Sequence, residues 1–276
     1  MEDIKQIVKE KYGEIAKQSK EQNAASCCGA TSCCSEVNYS VFSESYEKLD
    51  GYNPDADLGL GCGLPTEFAD IQTGNSVLDL GSGAGNDCFV ARALVGETGY
   101  VAGIDFTEAM IEKARENART LGYTNVDFIQ GDIDDIPVRF GVVDVVISNC
   151  VLNLVPDKPK AFSEMFRVLK QGGHFCISDV VLKGELPAGV KEDATMYAGC
   201  VSGALPREEY LSIIEEAGFT NVEVKKEKKI DLPDELLSLY MSVEELEKFK
   251  NGETGIFSIT VTGKKPEGCG CGCSCS

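Results

Sequence analysis

From residue 76 onward the chain alternates short apolar runs with helical stretches, and this alternation constrains the fold more than any other feature. Ser76-Val77-Leu78-Asp79-Leu80-Gly81 reads as a strand, and the stretch from Asn86 to Gly96 as a helix closed by its glycine. Tyr100 to Asp105 is the next strand, followed by a long helix over residues 109–123. Further strands are expected at 126–132, 142–150 and 174–181, with a helix over 162–173 before the last of them. Strands separated by helices imply βαβ units and a mostly parallel sheet. Right-handed crossovers then give a doubly wound α/β fold. Near the end, NVEVKKEKKI and IFSITVTGKK read as strands that extend the sheet antiparallel at its edge, with MSVEELEKFK a helix between them.

The flanking segments differ in character. Ile4, Ile7, Val8, Tyr12 and Ile15 recur at helical spacing and predict an amphipathic helix over 4–20. SCCGATSCCSE carries Cys27, Cys28, Cys33 and Cys34 in a small-residue segment that reads as a loop. A second loop, Asn53 to Pro65, contains GLGCGLP. Residues 185–206 read as loop and short helix, and PREEYLSIIEEAGF as a helix closing on Gly218. The terminal GCGCGCSCS has no helix or strand former and should be disordered without a ligand. The expected divisions are 1–50, 51–182, 183–267 and the tail 268–276, with 51–182 the Rossmann-like unit and 183–267 completing the sheet and supplying substrate contacts.

Composition narrows the partners. A formal net charge of −19 repels phosphate backbones, which argues against nucleic acid and anionic membranes. No charge-free apolar run is long enough to span a bilayer, and the charged N-terminus is not a secretory signal, so the cytoplasm is the expected location. Thirteen cysteines in such a chain point to metal, metalloid or redox chemistry rather than a disulfide framework. With His174 the lone histidine, the usual Cys/His zinc spacings cannot be built. A soft ion would have to be held largely by sulfur.

The loop Asp79-Leu80-Gly81-Ser82-Gly83-Ala84-Gly85 joins the first strand to its helix, where glycines let backbone approach a ligand and the helix start offers free N–H groups. Asp105 ends the second strand, where a carboxylate binds ribose hydroxyls. Asp79 would repel a pyrophosphate but suits a cationic methionine moiety, and Gly131-Asp132-Ile133 is placed to meet adenine. Both features favour S-adenosylmethionine over a dinucleotide. The expected cofactor contacts are Asp79, Gly81, Ser82, Gly83, Asp105, Phe106, Asp132, Ile133 and Asn149. D-L-G-S-G-A-G resembles the E/D-x-G-x-G-x-G pattern of class I methyltransferases, a resemblance that covers residues 75–182 and implies a seven-stranded Rossmann-like sheet.

Three cysteines stand at loop positions: Cys62 in GLGCGLP, Cys150 in SNCVLNLV and Cys200 in YAGCVSGA. Cys150 follows the fourth strand, at the carboxyl edge where doubly wound folds bind ligands. Trivalent arsenic prefers soft thiolates and takes three in a pyramid, leaving a lone pair free to attack a sulfonium methyl. Such chemistry needs positioning more than a general base, which suits a chain with one histidine. Cys88 and Cys176, inside periodic segments, read instead as small buried hydrophobes, and His174 as a strand-entry residue.

The YGEIA helix, GLGCGLP, SNCVLNL and AGCVSGA together resemble the arsenite S-adenosylmethionine methyltransferases, over residues 5 to about 265. The resemblance implies that Cys62, Cys150 and Cys200 bind arsenic and that an N-terminal cysteine, matched here to Cys34 with Cys33 as the alternative, pairs with Cys62. It also implies stepwise methylation of arsenite and methylarsenite, with a thioredoxin- or glutathione-type thiol as reductant and thioredoxin as a partner. The rival readings are a methyltransferase of a quinone or sterol-like molecule, which needs no loop cysteines, and a thiol-rich metal store, which leaves the glycine loop unexplained.

Overall fold

The computed structural model describes residues 2–18, 44–184, 203–230, 234–238, 240–251 and 255–268. The Cys-pair loop with Cys33 and Cys34, the segment carrying Cys200, and residues 269–276 lie outside the described residues.

Seven strands form one sheet: β1 (Ser76–Leu80), β2 (Tyr100–Asp105), β3 (Val126–Gln130), β4 (Val143–Asn149), β5 (Leu169–Lys183), β6 (Thr220–Ile230) and β7 (Gly255–Lys264). Their order is β3-β2-β1-β4-β5-β7-β6. The first five run parallel, while β7 lies antiparallel between β5 and β6. The expected doubly wound, seven-stranded, mostly parallel sheet is therefore present, and the two C-terminal strands extend it as the sequence indicates. Because β1 pairs with both β2 and β4, the strand order reverses beside it. Crossovers leave from β1 and β4 in opposite directions there, which opens a crevice at the carboxyl ends of those two strands.

The central strands are apolar on both faces because helices cover both. Helices α3 (Asn86–Val95) and α4 (Glu108–Thr120) pack on one side, around Phe89, Met110 and Ile111. Helices α5 (Lys158–Val168) and α6 (Arg207–Glu216) pack on the other, around Phe162, Met165 and Ile214. The edge strand β6 is exposed along most of its length and carries Lys225, Lys226, Lys228 and Lys229, charges that discourage a further strand from adding there.

Two boundaries differ from the sequence reading. The helix expected over 162–173 ends at Val168, because Leu169 is extended, fully buried and paired with Val143. The N-terminal helix α1 (Glu2–Ile15) stops short of residue 20, where Lys113 Nζ donates to the carbonyls of Ala16 and Gln18 at 3.1 and 3.2 Å and satisfies the chain end. A short helix α2 (Pro65–Phe68) ends the 53–65 loop. Helices α7 (Asp234–Leu237) and α8 (Val243–Asn251) precede β7.

Phe162 is fully buried and meets the Tyr210 ring edge-on at 5.7 Å between centroids. Phe162→Ala should cost about 3–5 kcal/mol of stability through lost burial and the cavity left behind. Urea unfolding measures it, and a loss below about 1 kcal/mol would show the core packs otherwise.

Candidate active site

A cleft of about 1110 Å³ opens at the reversal point, lined by the β1–α3 loop, the ends of β2 and β4, residues 131–133, the 56–61 loop and α1. Gly81, Gly83 and Gly85 all hold positive φ, at 73°, 51° and 98°. A Cβ at Gly81 would stand 2.3 Å from Val151, so only glycine lets the loop fold back here. The loop is tied to β2 by the amides of Gly81 and Ser82, which donate to Ile104 O at 2.7 and 2.9 Å. Asp105 completes the tie, accepting from the amides of Gly83 at 3.1 Å and Thr107 at 2.8 Å. Burial pushes the Asp105 carboxyl up, and those two amides oppose the shift.

Of the expected cofactor contacts, Gly81, Ser82, Gly83, Asp105, Phe106, Asp132, Ile133 and Asn149 line this cleft. Ser82 Oγ and Asn86 Oδ1 are buried without a hydrogen-bond partner in the protein, and both residues face the cleft. Orphaned polar atoms beside a glycine-lined wall fit a polar ligand such as S-adenosylmethionine. Asp132 is in use already: Lys5 of α1 pairs with it at 2.6 Å and with Asp134 at 3.0 Å. Against the upward push of partial burial, the Lys5 ammonium holds the Asp132 carboxyl below its ordinary range.

Asp79 is placed differently from the expectation. It is almost fully buried behind the loop, accepts a hydrogen bond from the Cys88 thiol at 3.2 Å, and is not among the cleft-lining residues. Burial, then the neighbouring Asp87 charge, push its carboxyl well above the usual range. Asp57 and Asp87 are the carboxylates that face the cleft there. Burial raises Asp87 to about 6, with bonds from Asn149 and Tyr46 opposing the shift and the Asp57 charge adding to it. Sequence reading missed Asp87, although an acid in the first turn of the helix after the glycine loop marks the position.

The cysteines come next to this cleft. Cys150 directly follows β4 and has φ 61°, a left-handed conformation that side chains other than glycine rarely adopt. Its amide still donates to Ser178 O at 2.8 Å, so the turn is anchored to β5. Cys62 is held from both sides of its backbone: its amide donates to Asn149 Oδ1 at 3.0 Å, and Ser258 Oγ donates to its carbonyl at 2.5 Å. Asn149 also donates to Gly63 O at 2.8 Å. A Cβ on Gly61 would lie 2.7 Å from Asn149 Nδ2, so a glycine here lets the loop come this close. Asn149, expected to touch the cofactor, thus lines the cleft and also grips the Cys62 loop.

The Cys62 and Cys150 sulfurs and a carboxylate oxygen of Asp179 lie within 4.8 Å of one another, all buried. Asp179, on β5, accepts from Val180 N at 2.9 Å and from Tyr210 Oη at 3.1 Å. Burial lifts its carboxyl to about 6; the Val180 amide, the Lys158 charge and Tyr210 restrain the shift. An acid inside the apolar run CISDVV was the available signal for it. Val180, Leu182, Ile230, Leu237, Met241 and Ile256 form the apolar wall around this group. Cys88 and Cys176 are fully buried in the core, as their periodic setting indicates. Cys200 and Cys34 lie outside the described residues.

Residues 71–218 match a family model described as a methyltransferase domain. The chain is 38% identical over 281 residues to the arsenite methyltransferase of Halobacterium salinarum, covering 96% of this chain and 67% of that protein. To the arsenite methyltransferase of Homo sapiens it is 34% identical, covering 79% of this chain and 58% of that one. A crystal structure of an arsenic(III) S-adenosylmethionine methyltransferase from Chlamydomonas reinhardtii superposes with a TM-score of 0.64 at 36% identity, covering 75% of this chain and 68% of that one. The glycine loop, the cleft and the sheet order define an S-adenosylmethionine-dependent methyltransferase of the Rossmann-like class. Within that class the chain belongs to the arsenite methyltransferase family, and it spans only 58% of the human relative's length and 67% of the archaeal one's.

Two outcomes follow from the site's charges. Asp105→Ala removes the acceptor that ties the loop to β2 and should weaken S-adenosylmethionine binding by about tenfold or more, since bonds to charged groups contribute about 1.5–3 kcal/mol. Calorimetric titration measures this, and an unchanged Kd would remove Asp105 from the site. Asp179, raised from 3.8 to about 6, holds its proton more tightly folded than unfolded. Its contribution to stability is therefore complete below pH 4 and declines as pH rises to about 6, by an amount on the order of 3 kcal/mol. Asp179→Asn should flatten that part of the stability–pH curve, whereas an unaltered slope would mean that other groups set it.

Proposed function

We propose that the protein transfers methyl groups from S-adenosylmethionine to trivalent arsenic held by the thiolates of Cys62, Cys150 and Cys200, with arsenite and methylarsenite as acceptors. The observation that carries this reading is the convergence of Cys62 and Cys150, far apart in sequence, beside a cleft that Cys150 itself lines. A quinone or sterol methyltransferase has no use for that pair, nor for a strained backbone at one of its members.

Each ligand exchange is balanced without a strong base. A thiol replaces a hydroxide on arsenic, the As–S bond forms as the As–O bond breaks, and the thiol proton leaves with the hydroxide as water. When bound, S-adenosylmethionine would supply an electrophilic methyl group to the arsenic lone pair, its sulfonium C–S bond breaking to release S-adenosylhomocysteine. Asp57 and Asp87 supply negative charge on the cleft wall for the cationic cofactor, and Lys5, Val8 and Tyr12 of α1 line another part of that wall. The protein's part is to hold two sulfurs in a dry, apolar pocket at the edge of that cleft, where positioning lowers the barrier most.

Methylation raises arsenic by two oxidation equivalents, so a dithiol must be oxidised before the next round. We assign that role to Cys62 with Cys34, Cys33 being the alternative, and to a thioredoxin- or glutathione-type thiol that restores them. The cytoplasm supplies such thiols and is the proposed location. Among the described residues no helix is long and apolar enough to cross a membrane.

Cys150→Ser should reduce methylation of arsenite to background while leaving S-adenosylmethionine affinity within about twofold, since the hydroxyl is nearly isosteric but a hard, poorly ionised donor. Cys62→Ser and Cys34→Ser should abolish methylation of arsenite yet leave measurable methylation of monomethylarsenite, which needs only two thiolates. Product speciation after incubation with each arsenical decides. Near-normal arsenite turnover by Cys150→Ser would rule out the thiolate-held acceptor.

A further inference from the structure

Asp179 is the part of this site that arsenic chemistry leaves unused. Trivalent arsenic takes soft sulfur donors, and with two thiolates and a hydroxide it is already neutral. The third donor of the described cluster is a buried carboxylate that accepts from Val180 N, Tyr210 Oη and the Asn153 amide. A carboxylate offers about four lone-pair sites, so one is left for another partner. Two sulfurs and a carboxylate oxygen, mutually within 4.8 Å, make a mixed donor set of a different preference.

We infer that Cys62, Cys150 and Asp179 form a site for a thiophilic divalent cation, zinc or cadmium, that competes with arsenite for the same sulfurs. Metal–sulfur bonds of about 2.3 Å and metal–oxygen bonds of about 2.0–2.2 Å place tetrahedral donors about 3.5–3.8 Å apart. The observed donors lie within 4.8 Å of one another, so a contraction of at most about an ångström closes three corners, and the fourth is open to water or a further thiol. Charge favours the same occupant. A metal ion displaces the two thiol protons, and the donor set of two thiolates and a carboxylate then carries three negative charges, with the Lys158 charge as the cation already acting on Asp179. A dication neutralises two of them and binds all three donors, whereas arsenic leaves the carboxylate with no bond to the bound atom. Magnesium and calcium, which want oxygen alone, do not fit. The predicted result is inhibition of the methyltransferase by zinc or cadmium that excess arsenite relieves.

Cadmium NMR of the full-length protein tests this directly, because the resonance position reports how many sulfurs surround the ion and separates this site from any all-sulfur site elsewhere in the chain. The wild type should show one resonance in the mixed sulfur–oxygen region, absent from Cys150→Ser and displaced by arsenite. Asp179→Asn should need about tenfold more cadmium or higher to show it, since even indirect partners of a metal are worth 10–100-fold in affinity. The same variant should bind arsenite as the wild type does. Cadmium resonances only of the all-sulfur type, or a mixed resonance unaffected by Asp179→Asn, would overturn the inference. If Asp179→Asn does not fold, the presence or absence of the mixed resonance in wild type and its loss in Cys150→Ser decide the matter. Arsenite that fails to displace a cadmium ion properly seated between Cys62 and Cys150 would count against the proposed acceptor site and leave the cation site standing.

Discussion

The site depends on one close approach: the backbone of Gly61-Cys62-Gly63 lies against Asn149 at the end of β4 and Ser178 within β5, with no room for side chains at either glycine. A Cβ on Gly63 would stand 2.5 Å from Ser178 Oγ, on β5. With both flanks bare, the peptide groups of the loop reach Asn149, Ser258 and Tyr46, and every one of those partners sits on a different element. A loop clamped from three sides loses little further entropy when it binds a substrate atom, which is the physical content of preorganisation. Opposite it, Cys150 holds a conformation costing about 1–3 kcal/mol, and such strain persists only where surrounding structure fixes it. The two sulfurs meet because the loop comes in close and the strand end turns back.

The same clamp joins the cleft wall at Asp87 to the Cys62 loop. Asn149 lies between the Cys62 amide and Asp87, whose carboxylate it reaches at 3.2 Å, and Tyr46 bonds both Asp87 and the Gly63 carbonyl. A cation drawn to Asp87 therefore acts on groups that also hold the Cys62 loop. Coupling of this kind is reciprocal: whatever cofactor binding does to the thiol loop, acceptor binding does to the cofactor. The overall charge of −19 sets the sign of the field that draws a cationic ligand toward the cleft.

Much of the architecture was legible in the sequence because it rests on local signals. Strand–helix alternation and terminal glycines placed β1 to β4, and the two late β-rich segments were recognised as the antiparallel edge. Cys62 and Cys150 stood out because a loop position and a strand end are visible without a structure. What escaped depends on which elements become neighbours. Asp87 and Asp179 acquire their roles from tertiary neighbours, Asn149 and Tyr46 at Asp87 and the two cysteine sulfurs at Asp179, which local signals mark but do not identify. Asp79, assigned to the ligand by its place in the motif, is buried and bonded to the Cys88 thiol. The end of α5 was misplaced because Leu169 prefers a buried strand position that its helical neighbours do not reveal.

The central claim is that sulfur from Cys62 and Cys150 binds the acceptor atom, and arsenic X-ray absorption spectroscopy of the arsenite-loaded protein tests it without relying on turnover. The account predicts a first shell of sulfur in the wild type, with sulfur replaced by oxygen at one position in Cys150→Ser and again in the Cys62→Ser, Cys150→Ser double variant. An oxygen first shell in the wild type, or a sulfur shell that is the same in the double variant, would contradict it.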